Sequence, residues 1–199
     1  MIAPNFNALS SEAEAASIYS RMSSVLQPIP KGFRLTKKAG WAAVPLERSM
    51  HLSPPLQVRI ADEFTAMKLD FFYAVAFELR DSLVPVYRVR SSAVAVAEFN
   101  KECGQFDYVL CPPDISAIVL CSASGDYIAV AGGLAFIEAV AGTDLQRAYE
   151  NFTEHAAHPG WTPSEHRFFE SLMSTLRDDY QFTVTGGSVT FPPPQFGQC

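Results

Sequence analysis

The amino-acid sequence predicts an α+β protein, with a mostly antiparallel sheet, a central hairpin, about four to five helices and a C-terminal β-hairpin. The best evidence is the stretch 106–142, where apolar strands alternate with polar turns and the last strand leads through two glycines into a helix. The second observation is the segment QFTVTGGSVTF, which alternates apolar residues and Thr around a Gly-Gly turn. In that hairpin we expect Val184 opposite Val189 and Phe182 opposite Phe191.

The size and composition of the chain favour a single α+β domain over residues 1–199. The chain has 199 residues, of which 48% are hydrophobic, enough for a core. Only 18% are charged, and 15 are Phe, so more apolar surface than usual must be buried inside the domain or against a partner. A homodimer is compatible with this composition.

The first half of the chain begins with a predicted helix over 11–26, because Ser11 and Glu14 have capping-box spacing and apolar residues recur at helical intervals. The next stretch, 31–55, is rich in Gly, Pro and basic residues. It predicts an extended basic loop with a short strand from Trp41 to Val44.

The middle of the chain contains one ambiguous segment. A helix is expected to about Lys68, but the apolar run in 69–79 fits a helix and a buried strand equally well. Residues 83–90 alternate like a strand, and Pro85 indicates an edge position. Ser92 then opens a short helix that Gly104 closes.

Two capped helices are expected after the central segment. Thr143 with Gln146 opens the first, and Thr162 with Glu165 opens the second. Each helix carries one apolar face, so both are predicted to pack against the sheet.

Charge is unevenly distributed along the chain, and this is the main functional clue. From Glu138 onward the sequence has eight carboxylates and three arginines, which gives a net charge of −5, compared with −6 for the whole chain. Residues 21–48 instead carry a net charge of +5. Such asymmetry steers association with a charged partner. The pI of 5.2 argues against general nucleic-acid binding.

Several patterns that could carry chemistry have simpler explanations. His155, His158 and His166 could bind zinc if a loop brought them together, but their spacing fits helix ends and no cysteine or carboxylate completes a metal pattern. Gly132 and Gly133 follow a strand and precede a helix, yet no third glycine or Lys-Ser/Thr pair makes them a phosphate loop. We therefore expect no metal and no cofactor.

The cysteines bear on both compartment and catalysis. They have no CxxC spacing, which favours a reducing compartment, although a Cys111–Cys121 disulfide across neighbouring strands stays open. Cys121, at a strand end, is the best-placed nucleophile of a Cys/His pair, with core packing as the simpler reading. The sequence has no apolar run of about 18 residues and no signal-peptide pattern at its start, so we expect a cytoplasmic protein.

These observations leave two classes of function. The first is a protein-binding protein without catalysis, by analogy with toxin-neutralising immunity proteins and adaptor or regulatory domains. The alternative is a small hydrolase-like enzyme with a dispersed Cys/His site. For the first class we expect a partner with a basic surface, contacted by the polar side of the two late helices with an exposed aromatic anchor. The predicted contact residues are Glu150, Glu154, Trp161, Glu165, Glu170, Asp178 and Asp179.

Overall fold

A computed structural model describes residues 5–29, 32–35, 38, 40–48, 51–77, 86–123, 125–180, 183–185 and 188–190. The described part confirms the α+β class: a seven-stranded sheet is packed by six helices. Every described pair of neighbouring strands in this sheet is antiparallel.

The helices are α1 (Glu12–Met22), α2 (Pro54–Ala66), α3 (Ala93–Cys103), α4 (Leu134–Ala141), α5 (Leu145–Ala156) and α6 (Pro163–Tyr180). The strands of the large sheet are β1 (Phe6–Ala8), β4 (Ala42–Glu47), β5 (Phe71–Phe77), β6 (Val86–Arg90), β7 (Asp107–Cys111), β8 (Ile118–Ser122) and β9 (Tyr127–Gly132). They lie in the order β1-β6-β5-β7-β8-β9-β4. Two further pairs stand outside this sheet, β2 (Leu26–Ile29) with β3 (Gly32–Leu35), and β10 (Thr183–Thr185) with β11 (Ser188–Thr190).

The two faces of the sheet are covered by different helices. On one face, Phe64 of α2 stacks on Phe72 at 4.5 Å, and Phe99 of α3 meets Tyr108 edge-on. Because side chains alternate along a strand, Tyr73 points to the other face, where its hydroxyl donates to Glu14 of α1. α6 covers the far end of that face. Its Phe168 lies 5.8 Å from Tyr127, measured between ring centroids. The sheet is therefore buried on both sides, which explains its nearly continuous apolar strands.

The edge strand β4 is covered by α5. The Tyr149 hydroxyl donates to the backbone oxygen of Ala43 at 3.0 Å, and both residues are buried. Pro45 lies in the same strand and has no N–H to offer a further strand. This edge is consequently protected against pairing with another chain.

The prediction of a basic loop over 31–55 is wrong for much of the segment, but the short strand expected at Trp41–Val44 is present as part of β4. The segment contributes β3 and β4, and its end begins α2, where Pro54 and Pro55 occupy the first helical turn. Proline is favourable there because the first N–H groups of a helix have no partner within it. The first helix is also shorter than predicted, since α1 ends at Met22.

The ambiguous segment 69–79 contains the strand β5, which is paired on both sides. The prediction of an edge position for 83–90 is wrong, because β6 lies between β1 and β5; Pro85 itself is outside the described residues. The described part has six helices and not four to five. The cap of α5 is Asp144, one residue after the expected Thr143, and its carboxylate accepts from the Arg147 N–H.

The strands predicted for the two hairpins correspond to the antiparallel pairs β8–β9 and β10–β11. In the second, Val184 lies opposite Val189, while Phe182 and Phe191 are outside the described residues. Three predicted helix starts are confirmed by side-chain hydrogen bonds at Ser11, Ser92 and Thr162. Gly104 does close α3, with its φ in the ordinary right-handed region.

Candidate functional site

Helix α5 presents one buried and one exposed side, as its sequence predicts. Its buried residues are Leu145, Ala148, Tyr149, Phe152 and Ala156. On the exposed side, the side chains of Glu150 and Glu154 are 46% and 73% accessible. Arg147 contacts both, at 3.1 Å and 4.0 Å, so one guanidinium serves two carboxylates. The excess of negative charge on this side therefore stays in solvent.

The predicted acidic residues of α6 have different environments. Glu165 is partly buried and accepts from both the N–H and the hydroxyl of Thr162, at 2.6 and 2.7 Å. Its carboxylate is thus used to cap the helix. Glu170 is exposed. Asp178 and Asp179 lie in the last turn of α6, and only their backbone is described.

Trp161 is not the exposed anchor that the sequence suggested. It is partly buried, and its indole N–H donates to the His155 backbone oxygen at 2.8 Å. Its ring meets Phe169 edge-on at 5.4 Å. Trp161 therefore joins the turn between α5 and α6 to the core, and only part of its surface can meet a partner.

The three late histidines have separate structural roles. The His155 Nδ1 lies 3.7 Å from a Glu47 carboxylate oxygen, and its ring packs beside Trp161. His158 Nδ1 accepts from the Gly160 N–H, and His166 Nδ1 lies 2.7 Å from the Ala156 backbone oxygen. Among the residues that the structure describes, no group of three or more His, Cys, Asp or Glu side chains could hold a metal ion.

The three cysteines that the structure describes are poorly suited to nucleophilic chemistry. Cys103, Cys111 and Cys121 are buried. Burial raises the pKa of the Cys121 thiol to about 12 and also raises the pKa of Cys111, so neither is a thiolate at neutral pH.

The Cys111–Cys121 disulfide is excluded by the strand register. Cys121 lies opposite Tyr108, while Cys111 is three residues further along β7, opposite Tyr73 on its other side. Three residues of a strand span roughly 10 Å, and a disulfide requires Cα atoms within about 7 Å.

Gly132 and Gly133 make a close joint between β9 and α4. Gly132 has a φ of +153°, and a Cβ there would lie 3.1 Å from the Ala117 Cβ. Gly133 precedes the helix without a side-chain cap. The close approach of Ala117 explains the first glycine, without any need for a bound phosphate.

A buried polar network was missed by the sequence reasoning. The Asn100 side-chain oxygen accepts from the Tyr108 hydroxyl at 2.7 Å and from the Leu52 N–H at 3.2 Å. Arg48, which is 4% exposed, donates to the Gly104 backbone oxygen at the end of α3. Arg48 counted as part of a basic loop in the sequence, and no local pattern distinguishes it from a solvated arginine.

A second cluster joins α1 to the sheet. Glu14 accepts from Tyr73 at 2.9 Å and from Arg88 at 2.8 Å. The hydrogen bonds from Arg88 and Tyr73 lower the pKa of Glu14. The guanidinium of Arg88 also lies 4.7 Å from the centre of the Phe71 ring. This cluster holds α1 in place on the sheet.

Comparison with known proteins finds no matching family model, no matching curated protein and no matching solved structure. Within the described ranges, every helix is too short or too polar to cross a lipid bilayer.

Proposed function

We propose that this chain is a non-catalytic, cytoplasmic protein-binding protein that holds a partner with a basic surface on the acidic side of α5 and α6. The observation that carries the proposal is the exposure of Glu150 and Glu154 on a helix whose opposite side is buried. Glu170 is exposed on the neighbouring helix. Glu150 and Glu154 share Arg147, and Glu150 also accepts from the Gln146 side chain, so two negative charges meet one positive charge on this surface.

A surface of exposed carboxylates favours the binding of positively charged partners. Exposed carboxylates contribute little to the folding of the chain that carries them, since surface ion pairs are worth at most about 1 kcal/mol. They do attract and orient a basic partner at long range, and they repel acidic proteins. Immunity proteins that neutralise toxins and adaptor or regulatory proteins are the classes that work in this way, so the chain is proposed to belong to one of them.

The other predicted contact residues are expected to contribute to partner binding to different extents. Asp178 and Asp179 would extend the acidic surface along α6. Trp161 would contribute only its accessible edge, and Glu165 would contribute indirectly by holding the start of the helix. The net charge of −6 argues against nucleic acid as the partner.

The alternative of an enzyme with a dispersed Cys/His site receives no support from the described cysteines. A catalytic thiol needs access to substrate and a lowered pKa, whereas Cys121 is fully buried and its pKa is raised.

The experiment reverses three charges on the proposed surface: Glu150, Glu154 and Glu170 to Lys. The wild-type protein, the triple variant and a control are immobilised, and proteins captured from the native host are quantified by mass spectrometry. We expect a basic partner to be retained by the wild type and reduced at least tenfold by the triple variant, which corresponds to about 1.4 kcal/mol. Capture should also fall as salt is raised above about 0.15 M.

The matched control carries Glu12, Asp62 and Asp70 changed to Lys. These residues are also exposed, and their reversal changes the net charge by the same amount on other parts of the surface. Equal capture by the wild type and the α5–α6 variant would refute the proposal. Equal loss in both variants would show that total charge, and not this surface, determines capture.

A further inference from the structure

The strand β1 leaves an open edge on the large sheet. Its partner β6 lies on one side, and among the described residues no strand pairs with the other side. The Arg90 N–H donates to the Asn5 oxygen, and the Leu9 N–H donates to the Val86 oxygen. Residues 5, 7 and 9 therefore turn their backbone groups toward β6, and Phe6 and Ala8 turn theirs outward.

Those outward groups are a template for another strand. The outward-facing groups are two N–H donors and two carbonyl acceptors, and the Ala8 oxygen makes only a long contact, 3.4 Å, with the Asn7 side-chain nitrogen. The opposite edge of the sheet is closed by α5, as described above. Natural proteins usually block such an edge, so an accessible one is a candidate for strand addition.

A groove lies beside this edge, on the face covered by α3. It holds about 480 Å³. Three aromatic rings and three charged side chains line it: Phe6, Tyr87, Phe106, Glu98, Lys101 and Glu102. Ala8 lies opposite Tyr87 and on the same face, and its small side chain leaves room above the strand. A side chain from an added strand would enter the groove at this point.

We propose that β1 and this groove form a second binding site, which takes an extended peptide segment of a partner protein by strand addition. Its backbone would pair with Phe6 and Ala8. One large apolar side chain would enter the groove, and flanking Lys or Arg residues would meet Glu98 and Glu102. The rim has two carboxylates to one ammonium group, which favours this charge pattern.

A second copy of the chain fits the site less well. A β1–β1 pair would join the segment Phe6–Ala8 of each copy, which has no basic side chain to meet Glu98 or Glu102. Two copies would also each bring a net charge of −6. A basic peptide gains from the same charge that keeps two copies apart.

The test uses synthetic fluorescein-labelled peptides and fluorescence anisotropy on the full chain. The probe TVKVLVKVT places Leu between two Lys residues on one face of an extended strand. TVEVLVEVT reverses the charges, and TVKVPVKVT cannot pair along its centre. We expect the first probe to bind at least tenfold more tightly than either of the others.

The site itself is tested by Ala8→Pro, which removes an outward N–H and keeps every hydrogen bond to β6. Ala8→Ser is the matched control, because it keeps the N–H and a small side chain. We expect Ala8→Pro to weaken the first probe at least tenfold and Ala8→Ser to change it less than twofold. Glu102→Lys should reverse the preference between the Lys and Glu probes, which tests the site even if Ala8→Pro does not fold.

Three results would overturn the inference. One is equal binding of the first probe by the wild type and a folded Ala8→Pro variant. Another is a wild-type dimer in analytical ultracentrifugation that Ala8→Pro abolishes, since the occupant would then be a second copy. The third is probe binding only after deletion of residues 191–199, since that segment of the chain would then be the occupant. The triple Lys variant of α5 and α6 should bind the probes normally, so this inference and the proposed function fail separately.

Discussion

The buried network around Asn100 allows a quantitative prediction. Asn100 is 2% exposed, and its side-chain oxygen accepts from two buried donors, the Tyr108 hydroxyl and the Leu52 N–H. Asn100→Leu keeps the branched, four-atom shape of the side chain but leaves both donors without this acceptor. Each donor that loses this acceptor costs about 1–3 kcal/mol, and the Tyr108 hydroxyl keeps only its weak hydrogen bond with the Cys121 thiol, so the variant should lose about 4 kcal/mol of unfolding free energy.

The partner substitution should cost much less. Tyr108→Phe removes one donor, and Asn100 keeps its bond to Leu52, so the expected loss is about 1 kcal/mol. In the double variant only the Leu52 N–H lacks its acceptor, and the expected loss of unfolding free energy is about 2 kcal/mol. The double variant is thus predicted to be more stable than Asn100→Leu alone, which corresponds to a coupling of about 3 kcal/mol.

The assay is urea unfolding followed by circular dichroism, with the slope of the transition checked for each variant. Val94→Ala is a suitable control in the same helix, because Val94 is 61% exposed and its loss should change stability by less than about 0.5 kcal/mol. Losses that simply add in the double variant would refute the assignment of both donors to Asn100. So would a cost for Asn100→Leu below about 1 kcal/mol.

Two further predictions concern ionisable groups. Because hydrogen bonds from Arg88 and Tyr73 lower the pKa of Glu14 in the folded state, its contribution to stability is present above the ordinary carboxyl pKa of 4.5 and is lost as the pH falls through the lowered value. Glu14→Gln should therefore flatten the acid side of the stability profile measured between about pH 3 and 6, and an unchanged slope would contradict the role of the cluster. Because Cys103, Cys111 and Cys121 are buried, a thiol reagent at about pH 8 should modify them only slowly in the native protein and rapidly in denaturant. Rapid modification of the Cys121 thiol in the native protein would instead support the enzyme hypothesis.

Helix starts were predictable because their signals are local. Ser11, Ser92 and Thr162 each carry a side chain that reaches a backbone N–H three residues on, a distance that the sequence itself displays. The strands were harder. β5 lies in the interior of the sheet and is buried on both faces, so its sequence lacks the alternation that separates a strand from a helix.

The candidate surface was only partly predictable for a related reason. The polar side of α5 follows from helical periodicity, so Glu150 and Glu154 are exposed as expected. The exposure of Trp161 depends on contacts with His155 and Phe169, which a local pattern does not contain. Arg48 was misread for the same reason, because its partner, Gly104, is 56 residues away in sequence.

The closure of β4 by Tyr149 has a consequence during synthesis of the chain. β4 can pair with β9 only after Val130, the partner of Val44, has been synthesised. The outer edge of β4 is covered only after α5 has been synthesised, because Tyr149 follows Ala43 by 106 residues. At a translation rate of about 5–20 residues per second, the apolar segment would emerge roughly 5–20 s before its covering helix. Ribosome-bound chains that end before α5 would therefore present an uncovered strand. Helix α5 thus covers the outer edge of β4 only late in synthesis.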